Sequence, residues 1–562
     1  MKSKLFGHAF ALGILTVCGG AEFRSADIRL DKPLGSGFLA FSDNIRRFDV
    51  KLTKPMDLSS AAGLAFQVKC ADPQVLTDCW LLFKTGDGYY RASFPVPPKA
   101  DTWTSCTVLK RDVRLYHWNA HISLHEVFVK PDPGLLPDWS RVTEFQIVLS
   151  LVIDRTTRDG AVAVRDFAAL DAGSPAAAAA VAASDTAENQ AFARVAAHPP
   201  ARPGRRFLAT HVWGLDWNWD ATCRMLKEGG VTDIIPLMTY GGYAYYGGSK
   251  IEIPSPLIDA HGDPLKLCLA ACRKYGLKCH VWRSCWGLST ESSKAFVDMV
   301  RSDGRLQVSF GGESERWFCP THPANVRREI DGLLELSALG ADGIMLDYFR
   351  YPDADHCFCP RCRARFEKSL GRTVADWPAG VRSDAELAKR WSAFRRDLLT
   401  DVLRTIRTEV RRRAPQLEVS AAVAATVEGA DARGQDWPAW CRAGLLDRLF
   451  PMCYNSTSKL LRRDLETLIR IVGGTPTKLT PMTCFACGDI PFLSLDEICR
   501  QIDTVQSFGR DGDLAFFRLT EYAPYVLEAL RKGPLAESAG DRNGIPPGEN
   551  RLTCPEVRPG QK

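Results

Sequence analysis

Two periodicities divide the chain. Across residues 28–171, apolar positions fall in short β-rich runs at 64–70, 79–83, 89–96, 104–108, 144–153 and 161–167. Polar turns such as Lys84-Thr85-Gly86-Asp87-Gly88 separate them, which predicts an all-β sandwich. Across residues 206–532 the pattern changes: strand-length apolar runs alternate with amphipathic stretches of helix length. The runs are 207–213, 233–238, 278–282, 343–347, 418–424, 448–453, 478–482 and 514–519. The helical stretches include 221–228, 265–275, 323–338, 385–413, 465–472, 495–508 and 523–532. Parallel strands need crossover connections, so this repetition predicts a parallel sheet. Eight such units predict an α/β fold, a (β/α)8 TIM barrel preceded by the all-β sandwich. An open doubly wound sheet is the alternative. Neither G-x-G-x-x-G nor G-x-x-x-x-G-K occurs in the right context to support it.

The segments outside these two regions have their own character. Lys2 and Lys4, the apolar stretch 5–17 and Gly19-Gly20-Ala21 predict a signal peptide over residues 1–21. The expectation is an exported protein, periplasmic, cell-surface or extracellular; the alternative is a buried N-terminal element. Cys18 adds a lipid-anchored variant, against which the bulk of Val17 counts. No other apolar run reaches the ~20 residues of a membrane span. Residues 172–205, rich in Ala and Pro, read as a linker or loosely helical spacer. Residues 533–562 read as a disordered tail.

Composition narrows the function. The 72 Lys and Arg against 66 Asp and Glu leave a net charge of +6 with no basic stripe, which argues against a nucleic-acid partner. The 14 Trp and 13 Tyr leave aromatic rings to spare for a binding surface.

Barrel chemistry sits at the C-terminal ends of the strands. Those ends present His211, Trp213 and Asp216 after strand one, Tyr240 after strand two, and Arg283 and Trp286 after strand three. Asp347 and Arg350 follow at strand four, Glu428 after strand five, Tyr454 and Asn455 after strand six, and Glu521 after strand eight. The opposite ends show no such density. Rings mixed with polar groups suit an oligo- or polysaccharide, whose C–H faces stack while its hydroxyls hydrogen-bond. Asp347 closes an otherwise apolar strand, where an unpaired carboxylate is costly, so it is the leading catalytic candidate. A bond to a neighbouring loop or a pair with Arg350 is its structural alternative. Glycosidases use two carboxylates, and Glu428 is the expected partner with Glu521 as rival. Asp436 is expected to cap the helix that begins near Trp437.

The string Ala341-Asp342-Gly343-Ile344-Met345-Leu346-Asp347-Tyr348-Phe349-Arg350-Tyr351-Pro352 resembles the fourth-strand motif of family-10-like bacterial glycosyl hydrolases. So do Gln435-Asp436-Trp437-Pro438-Ala439-Trp440 and the run 445–454. The resemblance covers residues 206–525 and implies a glycosidase-type barrel. The α-amylase-like barrels, with their strand-four nucleophile, are similar in the placement of Asp347. Chitinase-like barrels carry a glutamate where this chain has Phe349, so their substrate-assisted mechanism is not implied. The β-rich region is similar in strand order to galactose-binding-like carbohydrate modules. A sandwich that merely shields the barrel is the other possibility.

Cys357-Phe358-Cys359-Pro360-Arg361-Cys362 is the most specific local signal. Three thiolates within six residues can fold around one ion, and structural zinc wants a fourth. The arrangement of Cys319, Cys357, Cys359 and Cys362 resembles that of zinc-binding family-42 β-galactosidases, which implies a structural Zn ion held by these four. Disulfides, or His322 or His356 in place of a thiolate, are the alternatives. Those β-galactosidases have Asn-Glu at strand four, where this chain has Leu346-Asp347. Cys223, Cys268, Cys441 and Cys453 read as solitary buried thiols. The leading expectation is a secreted glycoside hydrolase. A non-catalytic carbohydrate-binding protein or a cell-surface scaffold is the alternative.

Overall fold

The computed structural model describes residues 16–17, 23–24, 28–30, 45–85, 88–115, 137–151, 162–212, 217–289, 292–485, 493–508, 511–519 and 523–536. Most of the expected signal peptide, nearly all of the expected tail, and Trp213, Asp216 and Glu521 therefore lie outside the described residues. The chain divides into two compact units that meet in sequence at Phe192 and Ala193.

The first unit contains two antiparallel sheets. One is ordered Ile45–Met56, Val142–Leu151, Leu76–Thr85, Gly88–Phe94, Arg114–Leu115; the other is ordered Ile28–Leu30, Val162–Asp171, Ala61–Cys70, Thr104–Leu109. Alternate residues of Ala61–Cys70 are buried, as the two-residue period of a half-covered strand requires. Phe66 stacks on Phe167 at 5.0 Å and meets Phe94 of the other sheet edge-on at 5.1 Å, so both sheets feed one core. Within the stretch expected as a linker, Pro175–Ala196 is a continuous helix. Its alanine content favours that state, and the Ser174 hydroxyl accepts from the Ala177 N–H at its start.

The second unit is built on a closed parallel barrel. Its eight strands are Arg206–Thr210, Asp233–Tyr240, Lys278–Ser284, Gly343–Asp347, Glu418–Ala424, Arg448–Met452, the split seventh strand Lys478–Leu479 and Met482–Cys484, and Leu514–Phe517. The last pairs back onto the first, Arg206 opposite Leu514 and Ala209 opposite Phe517. The seventh strand breaks at Pro481, which has no N–H for the ladder. Helices occupy the crossovers, among them Trp219–Glu228, Pro264–Tyr275, Pro323–Leu339, Ala385–Arg413 and Ser458–Val472. None of the described helices is long and apolar enough to cross a membrane.

The barrel interior is layered. An apolar middle holds Phe207, Ile235, Trp282, Met345, Ala422, Phe450, Met482 and Ala515. Below it lies a charged layer that corrects the expectation of sparse polarity at the N-terminal ends. Arg205 binds Asp233, Glu418 at 2.6 Å and His280 at 2.7 Å. His280 Nε2 lies 3.0 Å from Asp233, and Arg448 donates to Glu418 at 2.9 Å and to Asp513. Asp233, His280 and Arg448 stand two residues before Ile235, Trp282 and Phe450, so strand alternation aims them inward together. Charges this deep persist only because each is paired.

Candidate active site at the C-terminal rim

Asp347 ends strand four and is 9% exposed. Its Oδ2 accepts from Trp282 Nε1 at 3.0 Å and its Oδ1 from the Tyr348 N–H at 2.7 Å. Burial pushes its carboxyl above the ordinary range, opposed by the Tyr348 N–H, the Arg350 charge and the Trp282 indole. Tyr348 has φ +55°, a left-handed conformation uncommon for a residue with a side chain, and such strain clusters where geometry serves a ligand.

Arg350 covers this corner. Its guanidinium lies 5.3 Å from the Trp317 ring centre and 5.1 Å from that of Tyr348, and it donates to the Tyr351 and Pro352 carbonyls. Across the rim, His211 stacks on Trp282 at 5.9 Å with its Nε2 3.2 Å from Arg518 Nη1. Tyr454 stacks on Phe517 at 5.0 Å, and Tyr240 packs on the same apolar layer, partly exposed. Trp282 and Tyr348 stand at strand ends that the sequence already marks, though neither is named there as a site residue; Trp317, Phe517 and Arg518 are not expected at the rim from sequence. In the folded barrel Trp282 shares inward parity with Met345 and Asp347, whereas Arg283 does not.

Arg283 is accordingly no rim residue. It is fully buried on the outer face of strand three, donating to Glu329 at 2.8 Å and to Glu252 at 2.9 Å. Arg328 joins the same cluster through both carboxylates. Trp286 is also fully buried, 5.4 Å from Phe349, and presents no surface to a ligand. The Asn455 side-chain NH2 donates to Asp464 at 3.0 Å, and its backbone carbonyl accepts from Gln501 Nε2 at 2.9 Å. Glu428 is exposed in the first turn of the helix Val427–Asp431. Asp436 accepts from the Ala439 N–H at 3.0 Å, the capping role expected of it. Beside it, buried Gln435 ties the ends of strands four and five: its Oε1 accepts from Ala424 N, and its Nε2 donates to the Phe349 and Ala422 carbonyls.

The loop after strand four ends in the cysteine cluster. Cys319, Cys357, Cys359 and Cys362 are all buried and free, with their sulfurs within 4.8 Å of one another. Cys319 lies 3.7 Å from Cys359 and 3.6 Å from Cys362. Sulfurs held at ~2.3 Å around a tetrahedral ion would sit about 3.8 Å apart, so the spacing fits zinc and is far too long for a disulfide. Val308 N–H donates to Cys357 and Cys362 N–H to Cys359, both at 3.4 Å, the kind of contact that steadies a thiolate. His322 and His356 are used elsewhere, as a helix cap and in a 2.7 Å contact with Asp353.

No protein-family model and no curated protein matches the chain at a significant level. Among solved structures, a β-galactosidase from Bacillus circulans sp. alkalophilus superposes with TM-score 0.42 and 14% identity, over 57% of this chain and 51% of its own. An agarase gives 0.41 and 11%, over 87% and 92%, and an endo-1,4-beta-D-mannanase from Thermotoga petrophila RKU-1 gives 0.36 and 9%, over 56% and 88%. The chain spans about half the length of the β-galactosidases from Bacillus circulans and Marinomonas ef1. Likeness this remote carries no inference about activity.

Proposed function

We propose that the protein is an exported glycoside hydrolase acting on an oligo- or polysaccharide. The observation that carries this reading is Asp347, a carboxylate at the catalytic end of barrel strand four, between two N–H donors and beside aromatic rings. In this role Asp347 attacks or stabilises the anomeric carbon as the glycosidic C–O bond breaks. A second carboxyl protonates the departing oxygen, and water supplies the hydroxyl that replaces it. Glu428 is proposed for that second role, since strand five pairs directly with strand four, with Glu521 as rival. Turnover of aryl glycosides and polysaccharides by the purified protein tests the reading. Absence of hydrolysis, with sugar binding retained, would favour a carbohydrate-binding barrel.

The cysteine cluster is proposed as a structural zinc site, for which Cys319, Cys357, Cys359 and Cys362 are the ligands. Four thiolates leave no open position, so its contribution is to pin the loop that carries Tyr348 and Arg350. The two N-terminal sheets are proposed as a sandwich domain, either sugar-binding or shielding. Weaker retention on insoluble polysaccharide by a chain starting at Arg206 would identify a sugar module.

A further inference from the structure

A second group of cysteines converges within the same unit. Cys268 and Cys272 stand one turn apart on the helix Pro264–Tyr275, so they share a face. Cys223 reaches them from the adjacent helix Trp219–Glu228, and Cys279 is the second residue of strand three. Cys272 Sγ lies 3.9 Å from both Cys223 Sγ and Cys268 Sγ, and these three sulfurs are within 4.8 Å of one another. Cys279 lies on the Cys268 and Cys272 side of this trio, outside the group of three sulfurs that are mutually within 4.8 Å. All four are buried and free. Read singly in the sequence they are apolar filler; folded, they meet.

We infer that Cys223, Cys268 and Cys272 form a second thiolate site for a thiophilic ion of the zinc kind, with Cys279 of strand three offered as its fourth ligand. The spacing is close to the tetrahedral edge of about 3.8 Å set by zinc–sulfur bonds. Isolated buried cysteines gain nothing from facing one another, whereas soft ligands converging from two helices and a strand would cross-link the three elements through one ion. The nearby carboxylates do not compete as free charges: Asp220 is held by Lys274 at 2.7 Å, and Asp342 by Lys278 at 2.8 Å and the Cys279 N–H at 2.9 Å. A cleft of about 340 Å³ lined by Cys272, Leu277, Lys278, Gly340 and Asp342 opens beside the cluster and offers an ion a route in. Loading expels the thiol protons to solvent, and the bound thiolates are then withheld from oxidation.

Metal analysis of the full chain, purified after growth in Zn2+, tests this. About two equivalents are expected, falling to about one in Cys268→Ser/Cys272→Ser and, separately, to about one in Cys359→Ser. One equivalent in wild type, lost in Cys359→Ser and kept in Cys268→Ser/Cys272→Ser, overturns the second site while leaving the first in place. One equivalent with the reverse dependence supports the second site and removes the first. Cadmium-113 NMR gives an independent reading: two resonances in the all-thiolate range are expected, and a single one that survives Cys268→Ser/Cys272→Ser overturns the inference. A Cys223–Cys272 disulfide found by non-reducing mass spectrometry also overturns it.

Discussion

The indole Nε1 of Trp282 donates to Oδ2 of Asp347 across 3.0 Å, joining the inward faces of neighbouring strands three and four at the mouth of the barrel. The bond orients the carboxylate, and the Tyr348 N–H fixes its other oxygen. A group held from both sides is presented in one geometry, which is what positioning at a reacting centre requires.

Asp347→Asn keeps the shape and removes the charge, so the fold should survive while turnover on any hydrolysed glycoside falls by at least about 10²–10³-fold. Steady-state kinetics on the responsive substrate check this; near-normal turnover would sink the assignment.

The same substitution has a pH signature in stability. Burial raises the Asp347 carboxyl above 3.8, so the folded state keeps its proton after the unfolded chain has lost it. The advantage of wild type over Asp347→Asn in melting temperature should be greatest below pH 3.8 and decline as pH rises through the folded value. Melting curves across pH 3–7 that run parallel would contradict the burial argument.

At the other end of the barrel the sign reverses. Burial alone would raise Asp233, but bonds from His280 and Arg205 hold it at about 2, so its stabilisation is present above 3.8 and lost as pH falls toward 2. Asp233→Ala leaves Arg205 and His280 without this partner and should cost about 3–5 kcal/mol, measured by denaturant unfolding at neutral pH.

Gly332→Ala discriminates the two possible roles of Arg283. Alanine ordinarily favours a helix by up to ~1 kcal/mol over glycine. Here its Cβ would lie 2.7 Å from the Arg283 guanidinium carbon, which is locked between Glu252 and Glu329. Net destabilisation of about 1–3 kcal/mol is expected. A stabilised Gly332→Ala would mean that Arg283 is free to move, as a rim residue would be.

Glu428→Gln and Glu521→Gln separate the candidate proton donors. The true acid's variant should lose poor leaving groups far more than activated aryl glycosides, by about 10²-fold or more. Equal loss on both substrate types from Glu428→Gln would exclude it as the acid.

What the sequence determined by itself is whatever repeats locally. Strand and helix periods, the alternation of the two, and the capping role of Asp436 rest on neighbours a few residues apart, and all eight barrel strands were legible on that basis. The first cysteine group was legible because three of its four members crowd into six residues. The parity of strand three was also present in the sequence, since only one face of a strand can look into a barrel. Only tertiary structure decided which face that was, sending Trp282 to Asp347 and Arg283 to Glu329. It likewise brought together Arg205, Asp233, His280, Glu418 and Arg448, spread over more than two hundred residues, and Cys223 with Cys272. Such groups carry no local signature: a lone charge or thiol looks the same wherever it is bound, and closure of the barrel alone supplies its partners.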